Sequence, residues 1–307
     1  MSSTLSGAQR TAGVTLVPGT RPARRRPARK RAAGLVGKVT TWLLVAVLVV
    51  VVCYPLLWLL LGSFKTQQEF LNEPFWSLPS SLALGNYVDA WTTGNIALYL
   101  RNSLVVVLPS LALVIVIGVA AGFALEILVW KGRGTVLLLF LAGIMVPGQM
   151  ILLPLFSAYF ELGLTGTLWP LIITYTATAL PLTVFMMATY FRAVPREIFE
   201  AASIDGASVL RSFTAVGFPM VRNAVFTVAL VQFFFMWNDL LIALTFTSSD
   251  ELRTVQVGLL NFTGQFGATQ YGPLFAAICL NVFPLFVIYL VLNQRIMTGL
   301  AGGAVKG

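Results

Sequence analysis

The chain has 307 residues, of which 58% are hydrophobic and only 10% are charged, well below the roughly 25% charged residues of soluble domains. The net charge of +9 does not indicate a nucleic-acid groove, because nine of the twenty lysines and arginines lie in the first 38 residues. The sequence contains no histidine, so the usual imidazole base and the commonest ligand for transition metals are both absent. We therefore expect no nucleic-acid partner and no metal site.

Long apolar runs separate the charged residues, which is typical of a protein that crosses a membrane several times. A bilayer core about 30 Å thick takes roughly 20 residues of helix. Six segments meet this length and predict an all-α protein with six transmembrane helices, at about residues 39–62, 103–128, 135–160, 168–191, 223–247 and 273–294. Before them, residues 1–35 are predicted to form a basic, disordered cytoplasmic tail, and residues 36–307 the transmembrane domain.

The distribution of positive charge predicts the orientation of the spans. If the N-terminus is cytoplasmic, seventeen of the twenty lysines and arginines face the cytoplasm, and only Lys65, Arg101 and Arg253 lie outside. Cytoplasmic loops of membrane proteins carry this excess of positive charge, so both termini are predicted to be cytoplasmic. The basic run at residues 21–31 either fixes this topology or binds anionic lipid or a partner.

The loop between the fourth and fifth spans, at about residues 192–222, predicts a short helix from Pro195 to Asp205 with Gly206 just past its end. Four residues recur at helical spacing on one face: Ile198, Ala201, Ala202 and Asp205. This face could dock a partner protein, or the helix could lie flat on the lipid headgroups. The acids Glu200 and Asp205 favour a protein partner, because an anionic leaflet would repel them.

The same loop resembles the EAA loop of ATP-binding-cassette (ABC) importer permeases, on these matched positions: Glu200, Ala201, Ala202, Gly206 and Pro219. Phe218 stands where that family more usually has leucine. Further segments resemble the second permease component of maltose-type carbohydrate importers: NSLVVV, VPGQMILLPLF, LGLTGTLWPLI, WND and GLAGGAVKG. The resemblance covers about residues 36–307.

The resemblance implies a type I ABC importer permease fold in the inner (plasma) membrane of a bacterium. The implied partners are a second permease subunit in a heterodimer, two ABC ATPase subunits, an extracytoplasmic sugar-binding (lipo)protein, the carbohydrate and membrane lipid. This chain would bind no cofactor and would not be an enzyme, since ATP and magnesium would sit on the ATPase partner. The residues implied to couple to that ATPase are Ile198, Glu200, Ala201, Ala202, Asp205 and Gly206.

Polar residues within the spans are candidates for the translocation path: Gln149, Gln232, Trp237, Asn238, Asp239 and Asn281. A charged side chain near the bilayer centre costs roughly 2.5–3.5 kcal/mol, so Asp239 should face protein or a water-filled path. These residues either contact the sugar or have a structural role, in which they tie helices together or, for Asn238 and Asp239, cap a kink. In the loop before the sixth span, the resemblance implies contacts with the sugar-binding protein by Asn261, Thr263 and Gln265.

An ion-coupled secondary transporter is the main alternative from the residues alone. Such transporters bind their coupling ions through charged groups inside the membrane, and here the only such acids are Asp239 and Glu126, the latter near a span end. The sequence also lacks the GxxxxGK[ST] phosphate-binding motif, paired carboxylates and any nucleophile motif. No catalytic residues are therefore predicted, and the energy for transport should come from a partner. The identity of the sugar does not follow from this sequence.

Overall fold

The computed structural model describes residues 28–264 and 269–304, and the side chains of residues 37–264 and 269–290. Most of the predicted basic tail, residues 1–27, lies outside the described residues. Those that are described form helices and turns, and their only β-structure is an isolated bridge between Thr263 and Thr269. The predicted all-α class is confirmed.

The described part of the chain contains thirteen α-helices: α1 Ala28–Gly62, α2 Gln67–Asn72, α3 Gly85–Trp91, α4 Ile96–Glu126, α5 Arg133–Ile144, α6 Leu152–Glu161, α7 Trp169–Arg192, α8 Arg196–Ile204, α9 Val209–Arg211, α10 Phe218–Trp237, α11 Leu241–Phe246, α12 Val255–Gly258 and α13 Tyr271–Ala304. A π-helical turn joins α9 to α10 at Ser212–Gly217. Short 3₁₀ helices lie at Gly148–Ile151, Asp250–Leu252 and Leu259–Phe262.

Five helical segments of the described chain are long and apolar enough to cross a membrane: Gly37–Gly62, Ile96–Glu126, Trp169–Arg192, Val209–Trp237 and Tyr271–Leu290. The bent pair Arg133–Ile144 and Gly148–Glu161 would make a sixth span if both arms cross together. The chain divides into two units, Met1–Pro55 and Leu56–Gly307. Helices α2 to α13 all belong to the second unit.

Helix bounds differ from the predicted spans in several places, of which three bear on the site. The second span begins at Ile96 rather than at residue 103. The third is bent by 89°, because Pro147 lacks an amide proton and disfavours helix at the residue before it. The fifth ends at Trp237 instead of continuing to residue 247. There the carboxylate of Asp239 accepts hydrogen bonds from the amides of Ile242 and Ala243 and so begins a separate helix, α11.

Helices α4 and α7 pack closely along their length at the centre of the second unit. Gly118 and Gly122, four residues apart, bring one face of α4 against α7, as small residues at this spacing do between membrane helices. A Cβ at Gly122 would lie 2.7 Å from Cβ of Met187 and 2.9 Å from the amide nitrogen of Ala188. Only glycine therefore fits this contact without a shift of one helix.

Two hydrophobic clusters stabilise opposite ends of α4. The first surrounds the N-terminal half of α4, and its buried members include Tyr99, Leu171 and Trp237. The second surrounds the C-terminal end of α4 and includes Phe123 and Phe191. Helix α8 rests on the second cluster, at what we call the α8 end of the bundle.

Candidate functional site

Helix α8 is held by one face and exposed on the other. Phe199 is buried in the cluster below it, whereas the side chain of Ile204 is 86% exposed. On the predicted docking face, Ile198, Ala201 and Asp205 are exposed, and Ala202 is half-buried. The structure thus presents three of the four predicted residues of this face to the surroundings.

The C-terminal end of α8 is fixed by glycine. Gly206 adopts φ +77°, in the left-handed region where glycine carries no Cβ penalty. Its amide donates to the carbonyl of Ser203 at 3.0 Å, and the amide of Ala207 donates to that of Ala202 at 2.9 Å. These two bonds form a Schellman motif, so Gly206 occupies the position predicted for it.

Phe123 of α4 lies at the centre of an aromatic cluster beneath α8. Its ring centroid is 5.5 Å from Phe191 of α7, 5.7 Å from Phe199 of α8 and 5.2 Å from Phe213 of the π-helical turn. Such edge-to-face and tilted contacts add about 0.5–1.5 kcal/mol each beyond the burial of area. Helix α8 is therefore packed directly onto the ends of two long helices.

An ion-pair cluster reinforces this junction. The carboxylate of Glu126, at the end of α4, accepts two hydrogen bonds from Arg192 at the end of α7, at 3.0 and 3.2 Å. Arg196, the first residue of α8, lies 4.0 Å from the same carboxylate. The helix dipole disfavours an acid at a C-terminus, so Glu126 depends on these two arginines. Its position connects three helices through one side chain.

A cleft of about 270 Å³ opens between α7 and the break that follows α10. The Tyr175 hydroxyl donates to Oδ2 of Asp239 at 2.9 Å, and the amide of Ala243 donates to the same oxygen at 3.0 Å. Gln232 is 2% exposed and donates through Nε2 to Oγ1 of Thr183 at 2.9 Å. Two of the predicted path residues, Gln232 and Asp239, thus line one cleft.

The other predicted path residues do not join this cleft. Trp237 donates through Nε1 to Oδ1 of Asn281 at 2.9 Å, and both side chains are buried. Each side chain thus has a hydrogen-bond partner in the other, and both border an apolar groove of about 480 Å³. Asn238 is exposed and donates to the carbonyl of Phe234. Gln149 is exposed on the 3₁₀ helix at the bend of the third span.

The loop between α10 and α13 carries a second polar cluster, at the opposite end of α4. The Tyr99 hydroxyl donates to Asp250 at 2.8 Å, and Asn261 donates to both Tyr99 and Asp250. Arg253 pairs with Asp250 at 3.1 Å. Partial burial raises the pKa of Asp250, but the hydrogen bonds from Tyr99 and Asn261 and the nearby charge of Arg253 outweigh it and lower the pKa overall.

Of the residues predicted to contact a binding protein, Asn261 and Thr263 are exposed in this loop. Asn261 also forms part of the Tyr99–Asp250 cluster, and Thr263 donates to the carbonyl of Leu260. Gln265 lies outside the described residues.

Several residues of these sites were not predicted from the sequence, among them Phe123, Tyr175 and Ile204. Phe123 and Tyr175 contact residues that are 64 or more positions away in the sequence. Neither hydrophobic pattern nor residue spacing reveals such a pairing. Ile204 belongs to the predicted helix and is apolar, so its exposed position could have been found from the helical spacing with Ile198 and Ala201.

Comparison with known proteins places the chain in a family. The model of the "Binding-protein-dependent transport system inner membrane component" family matches residues 115–298. The chain is 36% identical to the diacetylchitobiose uptake system permease protein NgcG of Streptomyces coelicolor, over 84% of this chain and 85% of that protein. It is 32% identical to the trehalose/maltose transport system permease protein MalG of Thermococcus litoralis, over 85% and 95%.

The fold is similar to that of a bacterial ABC transporter involved in import of the acidic polysaccharide alginate. That comparison has a TM-score of 0.73 at 19% identity and covers 89% of this chain and 99% of the other. The predicted importer permease fold is thereby confirmed. The sequence match and the fold agree, and the chain belongs to the binding-protein-dependent transport system inner membrane component family.

Proposed function

We propose that this chain forms half of the translocation path of an ATP-driven carbohydrate importer and is coupled to a separate ATPase through α8. Family membership supports the role of permease. The carbohydrate is inferred from relatives named for diacetylchitobiose and for trehalose and maltose. The observation that carries the coupling is the exposure of one face of α8, with Ile204 86% exposed, while Phe199 anchors the other.

The exposed face of α8 suits a protein partner better than lipid. Ile198 and Ile204 offer apolar contacts, and Ala201 between them is small enough to let a partner surface approach closely. Asp205 and Glu200 are also exposed, and they would be repelled by the anionic cytoplasmic leaflet. We assign Ile198, Glu200, Ala201, Ala202, Asp205 and Gly206 to the contact with the ATPase.

The packing beneath α8 suggests how a movement of the ATPase would reach the membrane. A displacement of α8 acts on α4 through the ring contact between Phe199 and Phe123. It acts on α7 through the three residues that separate Arg192 from Arg196. Because α4 and α7 pack in close contact at Gly122, we expect the two helices to move as one rigid body.

The remaining partners follow from the same assignment. We propose a second permease subunit, two ATPase subunits and an extracytoplasmic sugar-binding protein, in the inner membrane with both termini cytoplasmic. The loop with Asn261 and Thr263 then lies outside, where it can meet the binding protein. ATP and magnesium belong to the ATPase, so this chain needs no cofactor of its own.

Uptake and ATP hydrolysis by the assembled complex in liposomes test this proposal. We expect Glu200→Lys and Gly206→Asp to abolish sugar uptake while the chain still inserts and the two permeases still copurify. Glu161→Lys makes the same charge change at an exposed residue that ends α6, and it should leave uptake unchanged. Uptake driven by an ion gradient without the ATPase would refute the proposal.

A further inference from the structure

We propose that the cleft between α7 and the break after α10 is a subsite for one ring of a neutral, hydroxyl-rich carbohydrate. Its polar residues are Asp239, Gln232 and Tyr175, and Phe235 forms part of its wall. This inference rests on the proposed function and narrows it to a substrate class and a location.

The cleft presents hydrogen-bond acceptors that the described residues leave largely unused. Oδ2 of Asp239 receives the Tyr175 hydroxyl and the amide of Ala243, whereas Oδ1 receives only a long bond of 3.5 Å from the amide of Ile242. Oε1 of Gln232 has no hydrogen-bond partner among the described residues, although the side chain is 98% buried and lines the cleft. Two acceptors in one cleft match a ligand that donates from adjacent hydroxyl groups.

The position of Asp239 directly after the fifth span, in the break before α11, argues that this cleft does not face lipid. A charged side chain inside the bilayer is costly and is found facing a bundle interior or a water-filled cavity. The residue is half-buried in this chain, and its carboxylate borders the open cleft. A water-filled path shared with the second permease subunit would keep the carboxylate of Asp239 away from lipid. The same path would bring sugar to the cleft.

The walls of the cleft suit a sugar ring in shape and polarity. Phe235 is 65% exposed and offers an apolar face, while Thr178 adds a hydroxyl oxygen on the α7 side. The volume of about 270 Å³ is below the roughly 300–1,000 Å³ of pockets for drug-sized ligands. The cleft can therefore hold one ring of a substrate but not a whole oligosaccharide.

The charge of Asp239 selects against acidic sugars. Like charges repel each other, so a uronic acid would be disfavoured beside this carboxylate. A protein of similar fold takes part in import of an acidic polysaccharide. For this chain, the carboxylate of Asp239 leads us to expect transport of neutral sugars. Trp237 and Asn281 are not part of the subsite, because they hydrogen-bond to each other.

Cysteine protection in the full importer complex tests the subsite. In a chain carrying Cys53→Ser and Cys279→Ala, Thr178→Cys places a thiol in the cleft, and Leu82→Cys places one at a residue that is 69% exposed and distant in the chain. The complex is arrested with ATP and a hydrolysis-deficient ATPase, then treated with a hydrophilic methanethiosulfonate reagent. The probes are maltose, trehalose, diacetylchitobiose and glucuronate.

We expect a transported neutral disaccharide to protect Thr178→Cys but not Leu82→Cys, and glucuronate to protect neither. Asp239→Asn should raise the sugar concentration for half-protection by about tenfold or more, the effect of losing a hydrogen bond to a charged group. Tyr175→Phe removes a bond to Oδ2 of Asp239 but keeps Oδ1 of Asp239 and Oε1 of Gln232 in the cleft, so it should raise that concentration by less than about threefold. An equal effect of the two substitutions would show a structural role and overturn the subsite.

The failures of the two proposals are distinguishable. A complex that imports one of these sugars while Thr178→Cys stays unprotected would refute the subsite alone. A complex that imports no carbohydrate would refute the proposed function and the subsite together. Protection by sodium or potassium ions without sugar would replace the carbohydrate subsite with a cation site.

Discussion

The carboxylate of Glu126, at the end of α4, lies 3.0 Å from the guanidinium of Arg192, at the end of α7. Arg196, the first residue of α8, lies 4.0 Å from the same carboxylate. The side chain of Glu126 is 14% exposed, whereas those of the arginines are 62% and 55% exposed. Glu126 therefore links the start of α8 to the ends of α4 and α7.

We expect Glu126→Gln to raise the number of ATP molecules hydrolysed per sugar imported, because α8 would lose its ion pair with α4 and would draw α4 through the Phe199–Phe123 contact alone. The effect on stability should be small, about 1 kcal/mol or less, since both arginines are more than half exposed and ion pairs with exposed partners contribute little. The measurement is the ratio of ATP hydrolysis to uptake in liposomes, alongside the melting temperature of the complex.

The charge swap Glu126→Arg with Arg192→Glu is the matched control for this prediction. It restores an acid between the ends of α4 and α7, with Arg196 still close by, and should return the ratio towards the wild-type value. An unchanged ratio in Glu126→Gln would remove Glu126 from the coupling path.

Gly122→Ala should destabilise the protein, because the added Cβ would lie 2.7 Å from Cβ of Met187 and 2.9 Å from the backbone nitrogen of Ala188. Overpacking of this kind costs about 1–3 kcal/mol. Gly134→Ala on α5 is the matched control, since a Cβ there meets nothing within 4 Å. Melting temperatures in detergent should fall for Gly122→Ala and stay level or rise for Gly134→Ala. Equal melting temperatures would show that α4 and α7 are not in close contact here.

Uncharged substitutions at Gly206 should act through backbone conformation and not through crowding, whereas Gly206→Asp also adds a charge to the proposed contact surface. A Cβ at this position meets nothing within 4 Å, but the backbone has φ +77°. Valine in this region should cost roughly 1–2 kcal/mol, whereas asparagine adopts it more readily. Stimulation of the ATPase by the loaded binding protein should therefore fall about fivefold or more in Gly206→Val and much less in Gly206→Asn. A similar loss in both variants would speak against the conformational explanation.

Glu69 predicts a pH dependence in the loop between α1 and α3. Its carboxylate accepts hydrogen bonds from the side chain and amide of Ser80 and from the amide and hydroxyl of Thr66. The bonds from Ser80 first, and then those from Thr66, lower the pKa of Glu69 from 4.5 to about 2. Because the pKa in the folded state is lower than in the unfolded state, this stabilisation is complete above pH 4.5 and declines as the pH falls towards 2.

The measurement is the difference in melting temperature between the wild type and Glu69→Gln across a range of pH. We expect the difference to be constant at neutral and mildly acidic pH and to shrink below about pH 4.5, where the carboxylate begins to be protonated in the unfolded chain. A difference that persists to pH 3 or grows on acidification would contradict the assignment.

The sequence was informative where structure depends on neighbouring residues. The helix that became α8 and the glycine at its end were predicted from local patterns, and Gly206 does adopt a positive φ. The family resemblance also indicated a transport subunit that is not an enzyme, and the family match confirms this. These features depend on a few consecutive residues, which a single sequence displays directly.

The sequence was less informative where residues act across the bundle. Asp239 was predicted to face protein or a path, with capping of a kink as an alternative role. Neither its bond to Tyr175, 64 positions away in the chain, nor the early end of the fifth span was predicted. Trp237 was a candidate for sugar contact, yet its indole donates to buried Asn281. Such pairings depend on how helices are arranged in space, and hydrophobic periodicity does not encode that arrangement.

Photocrosslinking from α8 tests the central claim of ATPase coupling most directly. A benzophenone amino acid would replace Ile204, which is 86% exposed on α8, and in a control Leu82, which is 69% exposed between α2 and α3. Irradiation of membranes that contain the assembled importer should link position 204, and not position 82, to the ATPase subunit, as identified by mass spectrometry. Crosslinks from position 204 to lipid alone would contradict the account, because α8 would then lie on the membrane surface and not in an ATPase contact.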